Sequence, residues 1–188
     1  MKLSVIIPCY NEEKNIPVIF SKLNVLLEDK AKEDCEVILV NNGSTDSSAH
    51  VLQAELSKTP YNIRVVNVAQ NKGYGYGILQ GLEAAQGEFL SWTHADLQTD
   101  PSDVFKALDI YELSPYKPIL VKGFRKNRKF SELFFSWGMG LLSSIVLGTR
   151  LTEINAQPKL FKKDFYQSIK DKAPFDFSLD LYFLYQAK

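Results

Sequence analysis

Net charge is the first thing this chain lacks: 22 lysines and arginines balance 22 aspartates and glutamates, at a pI near 6.7. A broad nucleic-acid-binding face needs a basic excess, so none is expected, and any basic function must be local. Cysteine is scarce. The two present, Cys9 and Cys35, lie in or beside apolar strands without metal-ligand spacing, which predicts small, buried, reduced thiols of the kind found in the cytosol. There is no internal repeat and no low-complexity linker. No uncharged apolar run reaches the roughly 20 residues a membrane-spanning helix needs. The opening Met1-Lys2-Leu3 leads into only a short apolar run before Asn11, Glu12 and Glu13, a poor match to a secretory signal.

What the chain does have is alternation. Short apolar runs near 3–8, 36–41, 63–68, 88–93 and 118–123 read as strands, and helical patterns near 15–29, 47–58, 75–85 and 101–113 fall between them. A further strand is expected at Lys159-Leu160-Phe161, with helices around 164–169 and 178–187. This pattern predicts one α/β domain over 1–188 with a Rossmann-like, mostly parallel sheet flanked by helices.

Three of these strands run into polar clusters. Leu3 to Pro8 leads to Cys9-Tyr10-Asn11-Glu12-Glu13, Val37 to Val40 leads to Asn41-Asn42-Gly43-Ser44-Thr45-Asp46, and Glu88 to Trp92 leads to Thr93-His94-Ala95-Asp96-Leu97-Gln98. Ligands of open α/β sheets bind outside the carboxyl ends of the strands, so the three clusters predict one cleft. Plainer roles compete. Asp46 and Asp100 suit helix capping, Glu12 a first-turn acid, Tyr10 packing, and Asn42-Gly43 a tight turn. The glycines of Gly73-Tyr74-Gly75-Tyr76-Gly77 precede a helix but follow the third strand, where a dinucleotide fingerprint follows the first.

After Gly123 comes a basic run, Arg125 to Lys129, and then an apolar stretch to Gly148 with small residues at helical spacing. The alternatives are a core helix or a helix resting on a bilayer, with Arg125, Lys126, Arg128 and Lys129 toward anionic head groups.

Together, Val5-Ile6-Ile7-Pro8-Cys9-Tyr10-Asn11-Glu12, Val40 to Asp46, Asn71-Lys72-Gly73-Tyr74-Gly75 and Ala95-Asp96-Leu97-Gln98 resemble the family 2 nucleotide-sugar glycosyltransferases. The branch containing dolichyl-phosphate mannose synthase and bacterial polyprenyl-phosphate transferases is the most similar. The resemblance implies a GT-A fold and an inverting transfer from a nucleoside-diphosphate sugar to a polyprenyl-phosphate or cell-surface glycan. It places a nucleotide-sugar half over about 1–100 and an acceptor half over about 101–188, on the cytoplasmic face, peripheral to the membrane. Members of that family continue past the corresponding last helix into a strand and a basic, glycine-containing loop, and a truncated and a minimal form of the family both fit this sequence.

By the same resemblance, Pro8, Tyr10, Asn11 and Glu12 line the base and ribose, Asn41 and Asn42 meet the base edge, and Lys72 lies at the pocket mouth. Ala95 and Asp96 hold ribose and a divalent metal, Mn²⁺ or Mg²⁺, and Gln98 supports the diphosphate. Arg125 grips an anionic acceptor or the departing diphosphate. Asp180, with Asp176 as its understudy, is the general base if the acceptor is a hydroxyl; a phosphate acceptor needs none.

Two departures stand out. The family shows two aspartates where this chain has Asn41-Asn42, and Asp-x-Asp where it has His94-Ala95-Asp96. Imidazole suits Mn²⁺ better than Mg²⁺, so His94 is either a ligand alongside Asp96 or a neutral histidine hydrogen-bonded in the cleft. The missing carboxylates motivate a rival reading, a non-catalytic homologue that binds nucleotide sugars. A nucleotidyltransferase is disfavoured because no basic, glycine-rich triphosphate loop follows the first strand.

Overall fold

The computed structural model describes residues 1–29, 34–96, 99–125, 144 and 146–188. Its strands are β1 (Leu3–Cys9), β2 (Cys35–Asn42), β3 (Ile63–Val68), β4 (Phe89–Trp92), β5 (Leu120–Lys122) and β6 (Lys159–Lys162). The helices are α1 (Ile16–Asp29), α2 (Ser48–Leu56), α3 (Tyr74–Ala84), α4 (Asp103–Leu113), α5 (Lys163–Ile169) and α6 (Leu179–Gln186). The expected elements are present to within a few residues.

The sheet order is β3-β2-β1-β4-β6-β5. β1 pairs in parallel with β2 and β4, and β2 with β3, whereas β6 runs antiparallel to both neighbours. The expectation of a mostly parallel sheet holds, with β6 as its reversed member.

Period-two alternation divides the core. Val5 and Ile7 of β1 and Val37 and Leu39 of β2 face α1, α2 and α4, while Ile6, Ile38 and Val40 face α3, α5 and α6. Helix α1 presents Ile16, Ile19, Phe20, Leu23 and Leu27 along one stripe. Cys9 pairs with Asn41 and Cys35 with Leu3, at opposite ends of adjacent strands. Six residues of strand separate them, roughly 20 Å, far too great for a disulfide. Neither is in a disulfide; Cys9 is buried and Cys35 half-buried. Burial pushes Cys9 up to about 12, helped by the nearby Glu12 carboxylate, so it stays an unreactive thiol.

Chain order reverses at β1: β2 and β3 build outward on one side, and β4 returns to the other. The carboxyl ends of β1 and β4 therefore border a topological switch point. Pairing of Ile6 with Trp92, continued by Thr93 N–H donating to the Ile6 carbonyl at 3.0 Å, sets residues 94–96 beside residues 8–10.

Candidate functional site

A cleft of about 410 Å³ opens at this switch point. Pro8, Cys9, Tyr10 and Glu12 line it from β1, Asn42 from β2, His94, Ala95 and Asp96 from β4, and Asn71, Gly73, Tyr74 and Phe177 close it. The predicted convergence of three strand ends is thus present, with a fourth wall from the start of α3 and the segment before α6.

The Asn41–Asp46 turn braces the β1 loop. Asn11, in the left-handed region at φ 56°, accepts Thr45 N–H on Oδ1 at 2.8 Å and donates its own N–H to Ser44 Oγ at 3.1 Å. Glu12 N–H donates to Ser48 Oγ at 2.8 Å, and Ser47 N–H to Glu13 Oε2 at 3.0 Å. Asp46 Oδ1 accepts Ser48 N–H at 2.9 Å and Asp100 Oδ1 accepts Ser102 N–H at 2.8 Å, so each acid holds the turn that enters its helix, but the N-cap positions themselves are Ser47 and Ser102, not the two acids as expected.

Not every predicted residue reaches the cleft. Asn41 is spent internally, its amide donating to Asn67 Oδ1 at 3.1 Å and its Oδ1 accepting Ser44 N–H at 3.2 Å. Asn42 is the residue of that pair that lines the cleft; its Nδ2 donates to the Gly73 carbonyl at 3.0 Å, and its buried Oδ1 has no partner among the described residues. Asn11 stays outside the lining as a brace. Lys72 is exposed, its ammonium 5.2 Å from the centre of the Tyr76 ring. Arg125 donates from Nε to Glu153 Oε2 at 3.1 Å. Gln98 and most of the stretch from Arg125 to Gly148 lie outside the described residues.

The glycine run has a packing explanation. A Cβ on Gly73, which has φ 122°, would come within 2.3 Å of the Phe175 carbonyl oxygen, and one on Gly77 within 2.7 Å of Asn42 Cγ. Close approach of the 174–176 segment and of Asn42 to α3 therefore demands glycine.

Four residues missed by sequence reasoning complete the site. Tyr74 stacks on exposed Phe177 with ring centroids 4.9 Å apart, and its hydroxyl lies 3.2 Å from His94 Nε2. Gln157 donates from Nε2 to Asp180 Oδ1 at 3.0 Å, and Lys159 forms an ion pair with the same oxygen. Lys159 is fully buried and Asp180 is 3% exposed. A glutamine and a lysine interrupting an apolar strand, Gln157-Pro158-Lys159-Leu160-Phe161, are the available signal. Asp176 instead holds Ser178 N–H on Oδ1 at 2.8 Å, ahead of α6.

His94 Nδ1 and Asp96 Oδ2 face each other at 3.7 Å. Burial holds His94 below the ordinary histidine range; Asp96 and Asp180 oppose that shift, and Lys159 and Arg125 add to it. Burial, and next the Asp180 carboxylate, push Tyr74 far up, so its hydroxyl keeps its proton. Lys122 is brought down to about 8, chiefly by burial, with Glu153 opposing and Lys159 and Arg125 reinforcing. Among the described residues no group of three or more histidine, cysteine or acidic side chains could hold a metal, and no helix is long and apolar enough to cross a membrane.

Comparison with known proteins gives this geometry a family. The chain is 25% identical over 173 residues to the dodecaprenyl-phosphate galacturonate synthase of Rhizobium johnstonii, covering 90% of this chain and 50% of that one. It is 29% identical over 144 residues to the undecaprenyl-phosphate 4-deoxy-4-formamido-L-arabinose transferase of Pseudomonas fluorescens, covering 77% and 41%. The chain thus spans half or less of the length of these relatives. In fold it is similar to a mannosyltransferase of Pyrobaculum calidifontis solved with GDP-Man and Mn²⁺, at a TM-score of 0.68 and 21% identity, covering 95% of this chain and 49% of that one. That likeness identifies a GT-A fold. The model of glycosyl transferase family 2 matches residues 4–178, and the chain belongs to that family.

Proposed function

We propose that the cleft binds a nucleoside-diphosphate sugar with a divalent cation, and that the protein transfers the sugar, with inversion, to a lipid-linked phosphate. The carrying observation is what converges at the β1/β4 switch point: a half-exposed aromatic ring, Tyr10; a buried, unpartnered amide oxygen, Asn42 Oδ1; and the facing His94–Asp96 pair. A base can stack on the first. Its ring N–H, which uracil and guanine both offer beside a carbonyl, can donate to the second once the Asn42 side chain turns its Oδ1, closed to solvent here, toward the cleft. His94 and Asp96 supply one nitrogen and one oxygen donor, a set that suits Mn²⁺ better than Mg²⁺. With only two protein ligands, a cation there also needs the donor's phosphate oxygens, and bound so it neutralises charge on the leaving diphosphate.

Asp180 supports this acceptor class: it is buried and its Oδ1 accepts from Lys159 and Gln157, so a hydroxyl acceptor would need as its base a carboxylate already committed to a buried ion pair. An acceptor that arrives as an anion needs no base, and the two relatives above are named for polyprenyl phosphates. The basic run Arg125, Lys126, Arg128 and Lys129 gives an electrostatic hold on an anionic bilayer, about 1 kcal/mol per residue, which salt weakens.

The test offers labelled UDP- and GDP-sugars with Mn²⁺ to undecaprenyl phosphate and to undecaprenol in anionic vesicles. Labelling of the phosphate alone is expected. Labelling of the alcohol would overturn the acceptor assignment, and donor binding without transfer to either would assign a non-catalytic nucleotide-sugar binder.

A further inference from the structure

Arg125 follows the end of β5, at the margin of the cleft. Lys122 of β5 pairs with Lys159 of β6, which pairs with Trp92 of β4. The ends of β5 and β4 therefore lie at the same end of the sheet, two strands or roughly 10 Å apart. Gly123 N–H donates to the Pro158 carbonyl at 2.8 Å, which seats the chain beside Gln157, and the Gln157 amide reaches the hydroxyl of cleft-lining Tyr74 at 3.5 Å.

Glu153, the partner of Arg125, belongs to a pinned turn. It occupies the left-handed region at φ 49°, uncommon for a residue with a long side chain. Lys122 Nζ donates to the carbonyls of Thr152 and Glu153, the latter at 3.2 Å, and the Glu153 carbonyl also accepts Ala156 N–H at 3.1 Å. The Glu153 side chain is only 14% exposed, and its Oε2 accepts from Arg125 Nε at 3.1 Å. That contact uses one of the five N–H groups of the guanidinium. The two terminal nitrogens make no hydrogen bond to the described residues, and they form the fork that matches two oxygens of a phosphate.

A carboxylate beside an arginine can act in two opposite ways. As a substitute anion it competes with a phosphate and must leave; as a strut it fixes the guanidinium and stays. The pinned backbone and the single contact through Nε favour the strut. We propose that Glu153, clamped through its backbone by Lys122, is a positioning residue that holds Arg125 by Nε and so presents the terminal nitrogens to a phosphate group, of the incoming acceptor or of the departing diphosphate. The proposal rests on the reading of Arg125 as the residue that grips a phosphate. Ordering the arginine beforehand removes an entropic cost that would otherwise fall on the binding step.

Two variants separate reach from charge. Glu153→Asp keeps the charge and suits a left-handed backbone, but draws the carboxylate back by one methylene. Glu153→Gln keeps an oxygen at Nε and drops the charge. Calorimetric titration of the whole protein with farnesyl phosphate, and separately with UDP and GDP in the presence of Mn²⁺, reads the two phosphate sources. Glu153→Asp should weaken one of them about three- to tenfold, the scale of ordering one long side chain, and Glu153→Gln should stay within about twofold of the unsubstituted protein. A loss confined to farnesyl phosphate assigns the acceptor, and one confined to the nucleotides assigns the leaving group. Unchanged or tighter binding in Glu153→Asp, an equal loss in Glu153→Gln, or equal weakening toward both ligands, the mark of general loosening, overturns the strut. Arg125→Ala separates the two levels: a loss there beside an unaffected Glu153→Asp defeats the strut alone, whereas unaltered binding of both ligands defeats the reading of Arg125 itself.

Discussion

On the β1–β2 side of the cleft, side chains brace loops through backbone groups and leave hydrogen-bonding capacity unused: Asn11, Ser44 and Ser48 hold the turns in place, while Asn42 lines the cleft with its buried Oδ1 unpartnered among the described residues. On the β6–α6 side, Lys159, Asp180 and Gln157 engage one another out of water. The first wall is equipped to meet a ligand. The second carries charge that must stay paired for the domain to fold, so substitutions on the two walls should report in different assays.

The largest effect is expected on the saturated wall. Lys159→Met leaves a buried carboxylate unpaired and should destabilise the domain by about 3–5 kcal/mol in urea unfolding. Adding Asp180→Leu should recover most of that loss; no recovery would mean that the pair contributes more than mutual neutralisation. At the β4 end, which faces the open wall across the cleft, Asp96→Ala should leave the unfolding midpoint in place and lower transfer by about 10²–10³-fold, the scale of losing one electrostatic stabiliser of developing charge. A comparable loss of stability would erase the contrast between the walls.

Glu36 tests whether buried charge behaves alike away from the cleft. Burial alone would raise its carboxyl, but Ser4, Arg64 and the Gln86 N–H together hold it below the ordinary glutamate range. Because the folded-state value is depressed, its contribution is complete above the unfolded value near 4.3 and is lost as pH falls through the folded one. Glu36→Gln should cost about 1.5–3 kcal/mol at neutral pH and flatten the acid limb of a stability-against-pH curve. An unaltered acid limb would contradict this. Tyr10→Ala should weaken nucleotide binding by about 1–3 kcal/mol in calorimetry if a base stacks there. Lys72→Ala should change binding by less than about 0.5 kcal/mol, since Lys72 lies over Tyr76 outside the cleft lining.

The sequence made the sheet legible because its central strands β1, β2 and β4 are buried on both faces and read as near-continuous apolar runs, interrupted by helices with clear stripes. Strand ends 8–12 and 93–96 could be placed for the same reason. Choosing between Asn41 and Asn42 could not be done from sequence, since adjacent strand residues point to opposite faces and a register is needed to say which faces the cleft. Lys159 read as an ordinary strand residue because its partner is 21 positions away in another element. Tyr74 was hidden by its glycine neighbours, which read only as a loop opening a helix, while their job is close packing of the 174–176 segment. The reversal of β6 carries no local signal, because direction depends on the connection before it.

The central claim is that this cleft holds a nucleoside-diphosphate sugar through a cation shared with His94 and Asp96. Calorimetric titration of UDP- and GDP-sugars into the unsubstituted protein and Asp96→Ala, each with and without Mn²⁺, tests it most directly. The account predicts binding of at least one donor that strengthens with Mn²⁺ in the unsubstituted protein and loses that dependence in Asp96→Ala. Donor binding that is indifferent to Mn²⁺ in both proteins, or equally Mn²⁺-dependent in both, would contradict it.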